Sequence, residues 1–313
     1  MIGQLKGAKV KFLITGGTGL IGRELIRHLS KDDDVQITVL SRNPVRAAQL
    51  LGEHIKLITK LGIDAVEQQN VVINLAGEPI ADKRWSNGQK KEICQSRWQI
   101  TQQLVDLIKR AKTPPALLIS GSAIGFYGRQ GSQEIDEDFT DCHHEFSHQL
   151  CKCWEQIALG AKSNYTRVAL LRTGIVLARN AGALAKMLPA FRLGLGGKIA
   201  SGEQIMSWIH VDDMVRAITH IIDHSELQGA INMTAPNPVS NLDFSQALAH
   251  ALSKPCFLPM PSIMVKLLFG EMSDLLIYGQ NVVPNKLKHS GFSFTQPTLD
   301  GALANILIDR RST

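Results

Sequence analysis

The chain reads as an α/β protein: a doubly wound parallel Rossmann sheet with a smaller, mainly helical C-terminal substrate lobe. Three observations predict this. Short β-rich apolar runs alternate with helical patterns along the first 180 residues. The first run, FLIT, opens directly into the glycine turn GGTGLIG at 16–22. After about residue 176 the texture changes to glycine-rich loops, one further strand and helices.

Taken in order, VKFLIT (10–15) predicts the first strand and GLIGRELIRHLS (19–30) the first helix. VQITVLS (35–41), HIKLIT (54–59), VVINLA (71–76), ALLISGS (116–122) and TRVALLRTGIV (166–176) continue the strand series. Unbroken apolar strands of this kind are buried on both faces, as in parallel sheets. A long helix is expected at about 86–111, with Ile93, Ile100, Leu104, Leu107 and Ile108 near helical spacing, and TPP at 113–115 ends it. Such alternation requires right-handed crossovers, and ligands then gather at the carboxyl ends of the strands. The expected division is a dinucleotide-binding domain over 8–176 plus about 229–236. A substrate lobe and helical C-terminal region take about 177–228 and 237–313.

Composition narrows the partners. Apolar residues at 44% and charged residues at 20% describe an ordinary soluble globular chain. No apolar run approaches the roughly 20 residues of a membrane helix, so no membrane partner is expected. The opening residues carry no small-residue cleavage site and read as a lead-in to the first strand. The net charge is +6, but lysines and arginines are scattered, so no nucleic-acid partner is indicated. Five cysteines, an odd number in a chain too large to need staples, point to reduced thiols and a cytoplasmic location. The expected partner is a small-molecule substrate that the sequence does not identify.

The glycine turn carries the first chemistry. Gly17, Gly19 and Gly22 fit G-x-G-x-x-G, while Gly16, Gly19 and Gly22 fit the tighter spacing. Glycines permit the sharp turn and let backbone approach a diphosphate, and the helix start supplies partly positive N–H groups. On the first strand of a parallel series, the pattern is a strong nucleotide signal. The second strand ends in Ser41, Arg42 and Asn43, where selection of NAD would call for an acid. An arginine there either pairs with a 2′-phosphate or merely faces solvent before a turn. The first alternative makes NADP(H) the expected cofactor.

With TGGTGLIG, NLAG (74–77), SGSAIGFYG (120–128) and HVDD (210–213) in that order, nearly the whole chain resembles the extended short-chain dehydrogenase/reductase superfamily of NAD(P)-dependent epimerases and dehydratases. More narrowly, NLAGEPIADKRW, SRWQIT and FRLGLGGKIASGEQIMSWIHVDD resemble its epimerase family protein branch, which includes proteins once labelled cell-division inhibitors. The resemblance implies that Gly16, Gly17, Thr18, Gly19, Leu20, Ile21 and Gly22 hold the diphosphate. It implies Ser41 and Arg42 at the ribose phosphate, and Leu75, Ala76 and Gly77 along the cofactor. Arg97 would reach back to the cofactor loop with Glu92 nearby, Ser120 would sit beside the reactive serine, and Gly174 to Val176 would flank the nicotinamide. His210 to Asp213 would fix the joint between lobes.

Members with established chemistry use a serine or threonine plus Tyr-x-x-x-Lys, two side chains on one helical face. Ser122 is available for the first role. The pair is absent: the tyrosines at 127, 165 and 278 are followed four residues later by Gly131, Ala169 and Val282. Aligned on Glu155, Ser147 and Cys151 replace tyrosine and lysine. In HHEFSHQLCKCWE (143–155), the recurrence of Phe146, Leu150, Cys153, Ile157 and Ala161 predicts a buried stripe. His144, His148, Cys151 and Glu155 would then face a ligand or water. A metal site is disfavoured because Cys-x-Cys splits its thiols between helical faces. His148 and Lys152, at four-residue spacing, are a candidate proton relay, and Tyr127 is another candidate acid.

In WIHVDDMVRAI, an aspartate is expected to satisfy N–H groups at a helix start. Trp85 and Trp208 read as core or cleft lining. MPSIMVKLLFGEM (260–272) has Met and Leu at helical spacing, leaving core or a homodimer contact open. Two functions remain: hydride transfer at a secondary alcohol or carbonyl by an oxidoreductase or epimerase, with Ser122 orienting the substrate oxygen, and NADPH sensing without turnover.

Overall fold

A computed structural model describes residues 9–307. Residue 8 of the expected nucleotide domain, the rest of the N-terminal lead-in, and residues 308–313 of the expected lobe lie outside the described residues.

The strand series forms as the apolar runs predict: β1 (Val10–Thr15), β2 (Val35–Leu40), β3 (Lys56–Ile58), β4 (Val71–Asn74) and β5 (Leu117–Ala123). The short strand β6 (Glu134–Ile135) precedes β7 (Arg167–Thr173), β8 (Ile175–Leu177), β9 (Ile205–Met206), β10 (Trp208–His210) and β11 (Gly229–Met233). Seven of these make one sheet in the order β3, β2, β1, β4, β5, β7, β11, with every pairing parallel. Chain order reverses between β1 and β4, and that switch point is where a doubly wound sheet opens a crevice.

Helices α1 (Leu20–Leu29) and α2 (Pro44–Leu51) cover one face, and α3 (Ile63–Val66), α4 (Asn87–Arg110) and α5 (Phe146–Leu159) the other. Helix α4 starts where the Ser86 hydroxyl accepts the Gln89 N–H at 3.2 Å. Its Leu104, Val105 and Ile108 pack with Leu13, Val72 and Leu118 of the sheet. Two apolar layers therefore hold the strand ends rigidly, and the crevice inherits that rigidity.

The second lobe has its own core. Helices α6 (Gly182–Arg192), α8 (Asn241–Ala251) and α12 (Leu299–Leu307) close around Trp208 and Phe244. Helix α7 (Val211–Asp223) belongs to the first face of the sheet and joins the lobes. The His210 ring, not an aspartate, caps it by accepting the Asp212 N–H at 3.1 Å. Fully buried Asp213 instead accepts from the Thr295 and Gln296 N–H groups and from Arg216, tying the C-terminal chain to the sheet domain. Strand β12 (Val239–Ser240) pairs antiparallel with β9, and β13 (Asn281–Val282) parallel with β6. Helices α9 (Ser262–Phe269), α10 (Asp274–Ile277) and α11 (Asn285–His289) complete the C-terminal region. Among the described residues, no helix is long and apolar enough to cross a membrane.

Candidate functional site

The glycine turn leaves β1 with Gly16 at φ +71°, a conformation that costs an L-residue strain. A Cβ there would lie 2.5 Å from the Leu75 carbonyl, and one at Gly22 would lie 2.4 Å from the Gly16 carbonyl oxygen. These two positions admit only glycine, and they lock the turn against the end of β4 and the first turn of α1. Gly19 differs: an added Cβ would meet only the Gly16 oxygen, at 3.2 Å. No side chain caps α1 at Gly19, and its first turn carries no acid. The Gly19 N–H closes the turn on the Gly16 carbonyl at 3.0 Å, while half-buried Leu20 and Ile21 in the first turn present N–H groups without a side-chain cap, beside exposed Thr18, which fits a diphosphate.

At the end of β2, Ser41 is half-buried and its hydroxyl donates to the Asn43 carbonyl at 3.1 Å. Arg42 is exposed there. The next strand end is held by a buried chain of hydrogen bonds. Thr15 Oγ1 donates to Asn74 Oδ1 (2.6 Å), and Asn74 Nδ2 to Thr101 Oγ1 (2.8 Å). Trp154 Nε1 also donates to Thr101 Oγ1 (2.9 Å), which itself donates to the Arg97 carbonyl (2.7 Å). That network fixes Arg97 on α4. Its guanidinium carbon lies 2.8 Å from where a Gly77 Cβ would stand and 5.3 Å from the Trp154 ring centre. Among the described residues its guanidinium makes one hydrogen bond, to the Ile93 carbonyl at 3.0 Å, and burial lowers its pKa. Arg97 therefore keeps donors for a ligand beyond β4. Glu92, five residues earlier, is exposed and shares no bond with it. Val176 on β8 is half-buried and packs on the main core, while Ser120 is fully buried, its hydroxyl 3.3 Å from the Gly121 carbonyl.

Beyond β5 the structure turns the buried face of α5: Leu150 and Ala161 of the expected stripe are buried, but so are His148, Cys151 and Glu155 of the face expected to meet a ligand or water. Its buried residues are Ser147, His148, Leu150, Cys151, Trp154, Glu155 and Ala158, while Cys153 and Ile157 of the predicted stripe are only half-buried. The cause is a buried ion pair with Arg172 of β7. Arg172 Nε and Nη2 each donate to Glu155 at 2.9 Å, and Ser122 Oγ donates to the same carboxylate at 2.6 Å. Paired in this way, a carboxylate can face the core. Burial opposes the Arg172 charge, but the Glu155 bonds outweigh it and raise its pKa.

The candidate catalytic groups consequently fail to converge. Ser122 is committed to Glu155 and is 5% exposed. Tyr127 is fully buried, donates to Asn232 Oδ1 at 2.7 Å and accepts from Arg172 at 3.0 Å; burial pushes its pKa up to about 12. The His148 ring bonds the Phe126 carbonyl from a buried position. Lys152 is exposed, so it shares no environment with His148 despite their spacing. Ser147 lies under Gly125, and Cys151 is fully enclosed with its thiol pushed up to about 12 by burial. The thiol stays protonated and uncharged at neutral pH. Trp85 and Trp208 are both buried. Sequence reasoning missed Glu155's role, Arg172, Asn74 and Thr101. The available signal was a charged residue inside the apolar run VALLR, which requires a buried partner.

An open helix start at a switch point, glycines that tolerate no side chain and a strand-end arginine define a dinucleotide-binding Rossmann protein. The chain belongs to the NAD dependent epimerase/dehydratase family, whose profile matches residues 12–233; a second profile, a domain of unknown function (DUF1731), matches 260–306. It is 38% identical over 311 residues to the chloroplastic epimerase family protein SDR39U1 homolog of Arabidopsis thaliana, covering 96% of this chain and 88% of that protein. It is 35% identical to epimerase family protein ML0860 of Mycobacterium leprae, covering 95% of each. The crystal structure of human epimerase family protein SDR39U1 (isoform 2) with NADPH superposes with a TM-score of 0.86 at 32% identity, covering 95% of this chain and 99% of that one.

Proposed function

We propose that this protein binds NADP(H) at the glycine turn and responds to it as a regulatory binding protein, without a serine–tyrosine–lysine proton relay. The observation that carries the reading is the commitment of Ser122 and Tyr127 to buried protein partners, with His148 held to the Phe126 carbonyl through Nδ1 alone, its Nε2 unpartnered among the described residues, and Lys152 outside. The similarity to a human relative solved with NADPH supports the cofactor. The N–H groups of Leu20 and Ile21 would hold the diphosphate, and Ser41 and Arg42 the 2′-phosphate. Leu75 to Gly77 and Arg97 would border the nicotinamide half. When bound in its reduced form, the nicotinamide would carry a transferable hydride at C4.

Arg97 favours a second reading, hydride transfer by an NADP-dependent oxidoreductase or epimerase. A half-buried guanidinium with one backbone acceptor among the described residues can hold a developing oxyanion. It cannot donate the proton, because guanidinium stays charged at working pH. A panel of carbonyl compounds and sugar nucleotides with NADPH, followed by nicotinamide absorbance, separates the two. The regulatory reading expects saturable NADPH binding with no consumption across the panel. Consumption that disappears in Ser122→Ala overturns it. The five free thiols also fit a reducing compartment, and we place the protein in the cytoplasm. Recovery of the tagged protein in an organelle fraction would refute that placement.

A further inference from the structure

Helix α9 is apolar almost all round, yet Val265 is its only buried residue. A helix of that composition ordinarily lies inside a protein. Here Ile263 is 79% exposed and Leu267 75%, with Met264 and Leu268 each about half open. The segment leading into α9 continues the surface, with Phe257 at 67%. The loop after α6 extends it further, because Gly194 lies against Pro255, Gly197 against Leu258, and Met260 bonds the Lys198 carbonyl at 2.9 Å. Leu193 on that loop is 74% exposed. From Pro255 to Gly270 the only charged residue is Lys266.

Nine large side chains within 193–195 and 257–268 make up this surface. Together they leave roughly 1,000 Å² open, whereas the largest apolar patch on a monomer is about 300–600 Å² and each partner of a standard interface contributes about 800 Å². The outer side of α4 offers nothing comparable, since Gln99, Gln102, Gln103 and Asp106 line it.

We infer that α9 and the adjoining loops are the interface of a homodimer, with a second copy of this chain as the occupant. A twofold axis lets one patch serve both subunits, so a single apolar surface is covered without a second complementary one. Area and composition match a permanent interface, which is more apolar than a transient one. A helix that lies on a membrane carries a polar face rich in lysine and arginine, and α9 has one lysine.

Light scattering coupled to size exclusion, at tens of micromolar protein, tests the assignment. Wild type should run at twice the chain mass. Ile263→Glu combined with Leu267→Glu should run as a monomer with an unchanged circular dichroism spectrum. Both side chains are mostly exposed in one subunit, so the substitutions leave the subunit core intact. The assignment fails if wild type is monomeric at that concentration, or if the double variant remains dimeric. It also fails if wild type floats with anionic phospholipid vesicles instead of pairing.

Discussion

The glycine turn after β1 and the α5 region beside β5 lie at the carboxyl ends of the same sheet, and they differ in what faces outward. At the turn, the polar groups facing outward are the first-turn N–H groups of α1, which no side chain caps. Beside β5, the polar groups are side chains joined to one another: Ser122 to Glu155, Glu155 to Arg172, Arg172 to Tyr127, Tyr127 to Asn232. A group already bonded within a core has little to offer a ligand, because breaking the bond exposes the desolvation cost of its partner. On the proposed reading the first region binds the dinucleotide, and the second holds α5, β5, β7 and β11 together.

Replacing one member of the second region should therefore cost stability and leave the first region's chemistry intact. Glu155→Ala leaves the Arg172 guanidinium buried without its carboxylate, and unfolding in urea should show a loss of about 3–5 kcal/mol. A loss below about 1 kcal/mol would place the pair at solvent and break the contrast. In the binding region the effect should reverse. Gly16→Ala drives a Cβ into the Leu75 carbonyl and strains φ, so NADPH affinity should fall on the order of 100-fold, about 2.7 kcal/mol, by calorimetry. Full affinity in that variant would place the cofactor elsewhere.

Tyr127→Phe sharpens the comparison through pH. Burial pushes the Tyr127 phenol up from its ordinary value of 10.0 to about 12 in the fold. The stability it contributes is present below pH 10 and is lost as pH rises from 10 to about 12. The variant should lose that decline, and at neutral pH it should be about 2 kcal/mol less stable for its missing hydrogen bonds. An identical alkaline profile in both proteins would show that the hydroxyl is solvated. The smallest effect is expected at the border of the two regions: Arg97→Gln should weaken NADPH about tenfold, or 1.4 kcal/mol, with little change in urea midpoint. A large fall in stability with unchanged affinity would move Arg97 from the site into the structural network.

The same contrast governs what could be read from the sequence. The glycine turn was legible because its constraints are local: each glycine answers to a residue within the turn or on the adjacent strand end, and the spacing records it. The strands were legible for the same reason, from VKFLIT through TRVALLRTGIV. The α5 face was misjudged because periodicity marks a stripe without saying which neighbour it meets. Glu155 turns inward only because Arg172 waits on β7, a tertiary fact. The bond from Ser122 to Glu155, on a helix 33 residues away, leaves no trace in SGSA. Likewise the His148–Lys152 spacing was a helical pattern with no account of burial, which separates a buried ring from an exposed ammonium.

Calorimetry on the apoprotein with NADPH and NADH, for wild type and Arg42→Ala, addresses the binding region most directly. NADPH should bind more tightly than NADH in wild type, and Arg42→Ala should remove most of that preference while leaving NADH affinity nearly unchanged. No heat with either dinucleotide, or equal losses for both in the variant, would contradict the assignment of the 2′-phosphate to Arg42 and of the cofactor to this turn.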